Sequence, residues 1–407
     1  MPNNDFISNI LEIKDLIITN VESYPEEMHI YFKIERRDHV CPCCGAVTNK
    51  VHDYRPSIIK DAPIMGKNTY LHYSKRRYHC DCCGKHFNEN FTLLPKHCRI
   101  TNRLNFLAIN MLKEAQNVSA VARQVGISPS TIFRRMEDIK YPKPSVLPQV
   151  LSIDEFKGNA GGEKFQAILT DPKNHKIFDI LPSRTQYKLK DYLLEFQNRK
   201  DVRYFIIDMN YVYRDIAETY FPNANIVIDR FHVVRYITWA LENVRKRIQK
   251  DMPPSKRKYF KRSRRISLSH YWKLNDESKQ ALEVMLMQSN DLAVAYYLKE
   301  QFYDFMESKN RDEAYRKLRK FILSVQASEL EEFNATLTML SNWVKYILNA
   351  FDCPYSNGFS EGTNNKIKVI KRNAYGYRNF ENFRNRILMT SQYRIPDMRW
   401  SYSFQSL

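Results

Sequence analysis

The sequence contains few glycines, and they are unevenly distributed. Only ten occur among 407 residues, and none lies between Gly162 and Gly358. The segment from Ser255 to Cys353 lacks both glycine and proline and is rich in Leu, Ala, Glu, Lys and Arg. Because these residue types favour helix and the two strongest helix breakers are missing, we predict that this segment is almost entirely helical.

Long hydrophobic runs are also missing. No stretch approaches the ~20 consecutive apolar residues that a membrane-spanning helix needs. Residues 1–20 do not show the basic start and long apolar core of a secretory signal. We therefore expect an intracellular protein with no membrane partner, in which cysteines stay reduced and paired cysteines hold metal more often than they form disulfides.

Acidic residues are outnumbered by basic ones. The chain has 45 Asp and Glu against 64 Lys and Arg, a formal net charge of +19. This excess favours a polyanionic partner, because each phosphate that a basic side chain neutralises releases condensed counterions. The apolar share of 43% is sufficient for packed cores, and the length favours two or three domains.

Six of the eight cysteines lie between residues 41 and 83, in the runs CPCCG at 41–45 and CDCCG at 80–84. Two thiolates three residues apart can bind one tetrahedral ion at ~2.3 Å, and the following glycine permits the tight turn that presents them. We predict a structural Zn²⁺ site formed by Cys41, Cys44, Cys80 and Cys83. The pattern leaves the participation of Cys43 or Cys82 open, and the alternative to zinc is two disulfides or free thiols.

Three short helices are predicted after the cysteine-rich segment. Apolar residues recur at helical spacing over residues 104–115 and again over 118–125, and a Gly-Ile-Ser turn follows at 126–128. Ser128 is a good N-cap and Pro129 suits the first helical position. We expect the last helix to bury Ile132, Phe133 and Met136. This leaves four polar residues for DNA contact, as in the recognition helix of a helix-turn-helix: Ser130, Thr131, Arg134 and Arg135. The alternative is a three-helix bundle that only packs against its neighbours.

An α/β pattern begins after a proline-rich stretch. Its order is three strands, helix, strand, helix, strand and long helix, which is the order of the RNase H-like fold. In that fold the first and fourth strands are neighbours, ~4.8 Å apart. Asp154 lies in the first predicted strand and Asp208 ends the fourth, so their carboxylates should lie side by side.

Two neighbouring carboxylates repel each other unless a cation lies between them, and oxygen ligands favour Mg²⁺ or Mn²⁺. A third acid is needed to hold a second ion. Glu361 is our candidate, because it lies in the run 356–366, which is predicted to be the start of a helix. Asp229 is the main rival because it too ends a buried strand. Glu155 is a lesser one, since its side chain should point to the opposite face of the strand from Asp154.

The predicted fold class is therefore multidomain α/β: a zinc ribbon, a helical helix-turn-helix domain, and an RNase H-like core interrupted by an all-helical insertion. We place the zinc-ribbon domain at residues 1–98, the helix-turn-helix at 99–140 and a linker at 141–149. The core occupies residues 150–250, the helical insertion 251–350, and the C-terminal core helices 351–407.

Several of these segments resemble one family. The run from Ser356 to Arg372, with Asn-Ala-Tyr-Gly-Tyr at 373–377, resembles the C-terminal signature of bacterial insertion-sequence transposases of the ISL3 family. The segments Ser152–Phe156 and 207–209 resemble its first two acidic sites. The cysteine pairs, the helix-turn-helix and the helical insertion occur in the same order in that family, so the resemblance covers essentially the whole chain.

The resemblance implies DDE chemistry, with Asp154, Asp208 and Glu361 as catalytic residues and Mg²⁺ or Mn²⁺ ligands in two-metal-ion phosphoryl transfer. It also implies terminal-repeat and target DNA as partners, a homodimer or larger assembly on DNA, and a cytoplasmic, nucleoid-associated location in a bacterium. Three basic residues after Glu361 are expected to contact DNA: Lys366, Lys371 and Arg372. The run 229–232 resembles an acidic-x-x-His element near the active site of related transposases, so Asp229 and His232 are expected to support the metal ligands.

Two other functions remain open. A zinc and helix-turn-helix regulator with an inactive RNase H-like domain would keep the DNA-binding parts without needing all three acids. A nuclease would use the acids to cut nucleic acid without joining it.

Overall fold

The structure is a computed structural model that describes residues 16–89, 99–114, 117–139 and 141–392. It divides into two compact units. The first contains residues 1–141, 369–375 and 385–407, and the second contains residues 142–368 and 376–384. The ends of the first and last predicted domains, residues 1–15 and 393–407, lie outside the described residues.

The first unit contains a five-stranded sheet and a small hairpin. The strands are β1 (Leu16–Ser23), β2 (Glu27–Ile34), β3 (His39–Val40), β4 (Val47–Thr48), β5 (Val51–Ile64), β6 (Lys67–His79) and β7 (His86–Asn88). The sheet has the order β1-β2-β6-β5, with β7 on β6, and β3 pairs with β4. Alternating residues such as Ile30, Phe32, Leu71 and Tyr73 form its buried core.

Three helices follow in the same unit: α1 (Asn102–Lys113), α2 (Val118–Val125) and α3 (Pro129–Glu137). Gly126 ends α2 in the left-handed conformation at φ 65°, and Ser128 caps α3 by accepting a hydrogen bond from the Thr131 amide. The predicted turn and cap are therefore confirmed. Ile132 and Met136 are buried as expected, but Phe133 is 40% exposed, so that part of the prediction is wrong. Position 133 lies about 100° around the helix from Ile132 and so leaves the buried face.

Polar contacts attach these helices to the sheet. Asp61 of β5 is buried, forms an ion pair with Arg103 of α1 and accepts a hydrogen bond from the Thr101 hydroxyl at 2.5 Å. Lys60 donates a hydrogen bond to the carbonyl oxygen of Gly126. The zinc-ribbon sheet and the helix-turn-helix therefore pack as one body.

The second unit is built on another five-stranded sheet. Its strands are β8 (Val150–Phe156), β9 (Gln166–Asp171), β10 (Lys176–Leu181), β11 (Tyr204–Ile207) and β12 (Asn225–Ile228), in the order β10-β9-β8-β11-β12. The pairs among β8, β9 and β10 are antiparallel, whereas β11 is parallel to both β8 and β12. The prediction that the first and fourth strands of this sheet are neighbours is confirmed.

Three helices connect and cover the strands: α4 (Gln186–Leu194), α5 (Tyr211–Tyr220) and α6 (Arg230–Lys250). One face of the sheet, including Leu151, Ile153, Phe205 and Ile207, packs into the large core that contains residues of these helices. The other face carries the smaller apolar cluster of Val150, Ile206, Val227 and Ala350. Residues of even number on β8 and β11 therefore share the second face.

The segment without glycine and proline is helical, as predicted. It contains α7 (Pro254–Arg262), α8 (Arg264–Leu268), α9 (Asp276–Leu286), α10 (Asn290–Met306), α11 (Arg311–Ser328) and α12 (Asn334–Leu348), joined in part by short 3₁₀ turns. Helices α13 (Gly358–Asn373) and α14 (Phe380–Gln392) follow. Among the helices in the described parts of the chain, none has both the length and the apolar character needed to cross a bilayer.

Candidate active site and metal centre

Four cysteine sulfurs converge at the edge of the first sheet. The ligand atoms of Cys41, Cys44, Cys80 and Cys83 all lie within 4.8 Å of one another. Sγ of Cys41 is 3.6 Å from Sγ of Cys83, and Sγ of Cys44 is 3.5 Å from Sγ of Cys80. Four sulfurs at ~2.3 Å from a tetrahedral Zn²⁺ would be separated by about 3.8 Å, so this spacing fits the ion.

The local backbone explains this arrangement. Gly45 and Gly84 have φ values of 76° and 71°, and each amide donates a hydrogen bond to the carbonyl oxygen of the first cysteine of its run. Cys43 and Cys82 are exposed and are not part of the four-cysteine cluster. The sulfur separations far exceed the ~2.05 Å of a disulfide, which excludes the pairings among these four thiols.

The polar residues predicted for DNA contact lie at the front of α3. Ser130 and Arg134 are exposed, and Thr131 is half-buried. The Ser128 hydroxyl lies 2.9 Å from that of Ser130 and 2.8 Å from that of Thr131. Arg135 forms an ion pair with Asp138 at 2.9 Å, so it is more restrained than Arg134.

Asp154 and Asp208 lie at the same end of two adjacent parallel strands. Ser152 of β8 is in register with Ile206 of β11, and the two aspartates lie two residues further along each chain. Both therefore fall on the face of the sheet opposite the large core. Asp154 is buried, with Oδ1 accepting from the Glu155 amide at 2.7 Å and Oδ2 accepting from Nδ2 of Asn364 at 2.9 Å.

Asp229 follows the neighbouring strand β12 and caps α6 by accepting from the Phe231 amide at 3.3 Å. Its Oδ2 lies 3.5 Å from Nδ1 of His232, which is ion-pair distance without hydrogen-bond geometry. Glu361 lies in the first turn of α13, where the helix dipole favours a carboxylate. The structure thus brings Asp229 and His232 into the same region as the three predicted acids.

The pKa shifts show that these groups act on one another. Burial raises the pKa of Asp208 to about 6; the Asp154 carboxylate contributes to the increase and His232 opposes it. Burial also raises the pKa of Asp154 and of Glu361, and Asp229 is the charged group that raises the pKa of Glu361 most. The Asp229 carboxylate in turn raises the pKa of His232. Mutual repulsion of this kind is what a bound cation relieves.

Three buried carboxylate oxygens at this site lack a hydrogen-bond partner among the described residues: Oδ1 of Asp208, Oδ2 of Asp229 and Oε1 of Glu361. Unpaired buried carboxylate oxygens are costly unless a cation coordinates them. In the described parts of the chain, however, only the cysteine cluster brings three or more metal-ligand atoms within 4.8 Å of one another. The carboxylates are therefore spread more widely than the shell of a single ion.

Polar contacts seat α13 on the sheet beside these acids. The Ser152 hydroxyl donates to Oδ1 of Asn357 at 2.6 Å, and the hydroxyls of Thr170 and Ser360 lie 2.7 Å apart. Together with Asn364 these contacts fix the helix that carries Glu361. Our sequence analysis missed them. The available signal was the helical spacing of Asn357, Ser360 and Asn364, which places small polar residues on one face.

Glu155 points away from Asp154, as its position on the strand predicts. It forms an ion pair with Arg184 and accepts a hydrogen bond from the Tyr213 hydroxyl of α5 at 3.2 Å. The Arg184 guanidinium also lies over the Phe165 ring, 4.4 Å from its centroid. Glu155 is thus engaged on the opposite face and still contributes negative charge to the surroundings of Asp208.

The basic residues after Glu361 lie along the remainder of α13. Lys366 and Arg372 are exposed, and Lys371 is half-buried. Lys371 and Arg372 belong to the last turn, where cations interact favourably with the helix dipole.

Comparison with known proteins identifies the class of the chain. A family model described as a transposase, of the ISL3 family, matches residues 151–387, which is more than half of the chain. Residues 37–83 match the zinc-finger of transposase IS204/IS1001/IS1096/IS1165, and residues 89–139 match the helix-turn-helix domain of transposase family ISL3. The chain belongs to the ISL3 family of transposases.

Among individual relatives, the transposase for insertion sequence element IS1001 from Bordetella parapertussis is 27% identical over 376 residues, which cover 88% of this chain and 91% of that protein. An ATP-dependent protease from Lactococcus lactis subsp. lactis is 46% identical over 59 residues, or 14% of this chain and 19% of that protein. The second match is too short to inform function.

Proposed function

We propose that the chain is a DDE-type transposase that binds the terminal repeats of an insertion sequence and catalyses metal-dependent DNA strand cleavage and strand transfer. The observation that carries the proposal is the placement of Asp154 and Asp208 on adjacent parallel strands, facing the helix that supplies Glu361. The 27% identity to the transposase of IS1001, over 91% of the length of that protein, supports the same activity.

We further propose an RNase H-like core, built on the sheet of the second unit, with an all-helical insertion between α6 and α13. The support is its sheet order β10-β9-β8-β11-β12, with three antiparallel strands followed by two parallel ones. The core is proposed to occupy residues 150–250 and 351–407, the insertion 251–350, the linker 141–149, and the two DNA-binding domains residues 1–98 and 99–140.

The carboxylates fit Mg²⁺ or Mn²⁺, because they supply hard oxygen ligands and three of their buried oxygens have no other partner. We propose Asp154, Asp208 and Glu361 as the ligands, and Asp229 as a fourth carboxylate that orients His232. The wider spacing of the acids is compatible with two ions rather than one. Bound there, the metal would activate a water or a 3′-hydroxyl for attack on phosphorus and stabilise the departing 3′-oxygen.

The chain's own residues have distinct roles in this proposal. Asn364 and the Glu155 amide fix both oxygens of Asp154. Asp229 holds His232 beside Asp208, where a protonated imidazole offsets part of the negative charge. No covalent bond between protein and DNA is required, because the oxygen nucleophile attacks the phosphodiester directly.

The first unit is proposed to bind the DNA. Arg134, with Ser130, Thr131 and Arg135, is proposed to contact the terminal repeat in the major groove, and Lys366, Lys371 and Arg372 to contact phosphates. The four cysteines are proposed to hold one structural Zn²⁺. Because two transposon ends must meet, we propose a homodimer or larger assembly on DNA, in the bacterial cytoplasm at the nucleoid.

One assay tests the proposal. Purified zinc-loaded protein is incubated with Mg²⁺ and labelled DNA that carries the terminal repeats of its element, and the products are separated by length. Joined product is expected. Cleavage without joining would indicate a nuclease, and binding without either reaction would indicate a regulator. Asp208→Asn should remove both reactions and leave binding unchanged, with Asp215→Asn, a half-buried acid of α5 that is paired with the neighbouring Arg214, as the matched control.

A further inference from the structure

The exposed side of α6 starts at the candidate active site. Asp229 caps this helix, and His232 lies in its first turn. Phe231, Arg235 and Trp239 follow at intervals of four residues, so they lie along one side of the helix. They extend over ~12 Å of the helix axis. We call these three residues the α6 stripe.

The rings of the stripe are open to solvent. Phe231 is 57% exposed and Trp239 is 50% exposed. The Arg235 guanidinium lies over the Trp239 ring, 4.8 Å from its centroid. The centroids of the Tyr236 and Trp239 rings are 5.8 Å apart. Single exposed aromatics need no explanation, but two on one side of a helix, one of them stacked with the arginine between them, form a preorganised surface.

The basic charge of the exposed side of α6 favours a negatively charged partner. The exposed residues of α6 are aromatic, basic or amide: Arg230, Phe231, Arg235, Trp239, Asn243, Lys246, Arg247 and Lys250. Glu242, the acidic residue of this helix, is buried in an ion pair with Arg245. Arg247, towards the end of the helix, is paired with Asp291 and Glu332, whereas the stripe itself carries the Arg235 cation and no carboxylate. Aromatic faces interleaved with cations are the features of surfaces that bind single-stranded nucleic acid.

We propose that the α6 stripe stacks against unpaired DNA bases next to the cleavage site, an inference that rests on the proposed transposase function. The faces of paired bases are covered by their neighbours in the duplex, so Phe231 and Trp239 can stack only on nucleotides that have left it. Arg235 neutralises the phosphate between them. The stripe therefore holds a locally melted strand end within a few residues of Asp229 and His232.

The test compares two single-stranded probes that differ only in their bases. One is an oligothymidylate of about fifteen nucleotides, and the other is an abasic strand of the same length and charge. Binding of the full-length zinc-loaded protein is measured by fluorescence anisotropy. The unmodified protein should bind the oligothymidylate at least about tenfold more tightly, because each stacked base adds to the affinity. The double variant Phe231→Ala, Trp239→Ala should bind both probes equally.

The controls separate stacking from other effects. Trp272→Ala removes another exposed tryptophan, 62% accessible, and should keep the preference for bases. Trp239→Phe keeps a stacking ring and should keep most of the preference for bases. Equal affinity of the unmodified protein for the two probes overturns the proposal. The proposal is also overturned if the double variant keeps the preference for bases but has a smaller mass by light scattering. The stripe would then be a contact between copies of the protein.

Failure of the proposed function gives a different result. Asp208→Asn should retain the full preference for bases while it loses cleavage and joining. If the unmodified protein shows the preference but neither cuts nor joins terminal-repeat DNA, the transposase proposal fails and base stacking by α6 stands.

Discussion

Nδ2 of Asn364 donates a hydrogen bond to Oδ2 of Asp154 at 2.9 Å, across 210 positions of sequence. Asn364 lies one helical turn beyond Glu361, so the same helix presents one acid and positions another. Because Oδ1 of Asp154 accepts from the Glu155 amide, both oxygens of this carboxylate are oriented before any ligand binds. Such orientation of a ligand by neighbouring groups raises metal affinity and activity.

Replacing Asn364 with alanine should therefore weaken metal use without unfolding the protein. We expect a reduction of about 10–100-fold in cleavage rate at limiting Mg²⁺ and a higher Mg²⁺ concentration for half-maximal rate. Asn365→Ala, at the adjacent exposed position, is the matched control and should behave as the unmodified protein. An unchanged Mg²⁺ dependence for Asn364→Ala would show that the contact has no part in the reaction.

Asp208→Asn should stabilise the metal-free protein. Burial and neighbouring carboxylates raise the pKa of Asp208 to about 6, so its charged form is destabilised in the folded state. A neutral isostere removes that repulsion and should add about 1–3 kcal/mol to the free energy of unfolding at pH 8. Differential scanning fluorimetry should show a higher Tm without metal and a loss of the Mg²⁺-dependent increase. A lower metal-free Tm would contradict the electrostatic account.

The zinc site predicts a sharp contrast between neighbouring cysteines. Cys80→Ser removes one of four converging sulfurs and should abolish stoichiometric zinc, with a loss of DNA binding as the first unit unfolds. Cys82→Ser changes an exposed thiol outside the cluster and should retain one zinc per chain. Metal analysis of the purified variants measures both. Zinc loss in Cys82→Ser would mean that the register of the site differs from the structure.

Arg134→Ala should weaken binding to terminal-repeat DNA. The side chain is exposed at the front of α3, and a base contact by arginine contributes roughly 1–3 kcal/mol, or about tenfold or more in affinity. Arg123→Ala, an exposed arginine on α2, removes the same charge and should have a smaller effect. Gel-shift titration against specific and random duplexes decides the matter. Equal losses on both duplexes would assign Arg134 to phosphate contact alone.

Alanine substitutions at two glycines, Gly66 and Gly126, distinguish the cost of backbone strain from the cost of a steric clash. Gly126 and Gly66 both have φ values in the left-handed region, at 65° and 78°. A Cβ at Gly126 would lie 2.0 Å from Oδ1 of Asn68 and 2.5 Å from Nζ of Lys60, whereas a Cβ at Gly66 meets nothing within 4 Å. Gly66→Ala should therefore cost about 1 kcal/mol and Gly126→Ala distinctly more. Chemical denaturation followed by circular dichroism measures the difference, and equal costs would show that the neighbours of Gly126 yield freely.

Periodicity in the sequence was sufficient to predict most of the elements. The order of strands and helices over residues 150–250 agrees with the prediction, and the segment without glycine and proline is helical. These features depend on local spacing and on the absence of helix breakers, which are visible in a single chain. The positions of Asp154 and Asp208 followed because strand order determines which strand ends lie together.

Contacts between distant segments were not predictable in the same way. Which face of α13 lies on the sheet depends on the pairing of Ser152 with Asn357 and of Thr170 with Ser360, and no local pattern specifies those partners. Phe133 shows the converse, since helical spacing alone overestimated the width of the buried face.

The hydrogen bond between Asn364 and Asp154 also bears on protein synthesis. The ribosome makes the zinc ribbon, the recognition helix and the first strands of the second sheet long before it reaches α13. In a growing polypeptide, the strands that carry Asp154 and Asp208 therefore exist while the last carboxylate and its neighbouring amide are still untranslated. The acidic cluster therefore assembles late, because Glu361 and Asn364 are synthesised only when the chain is almost finished.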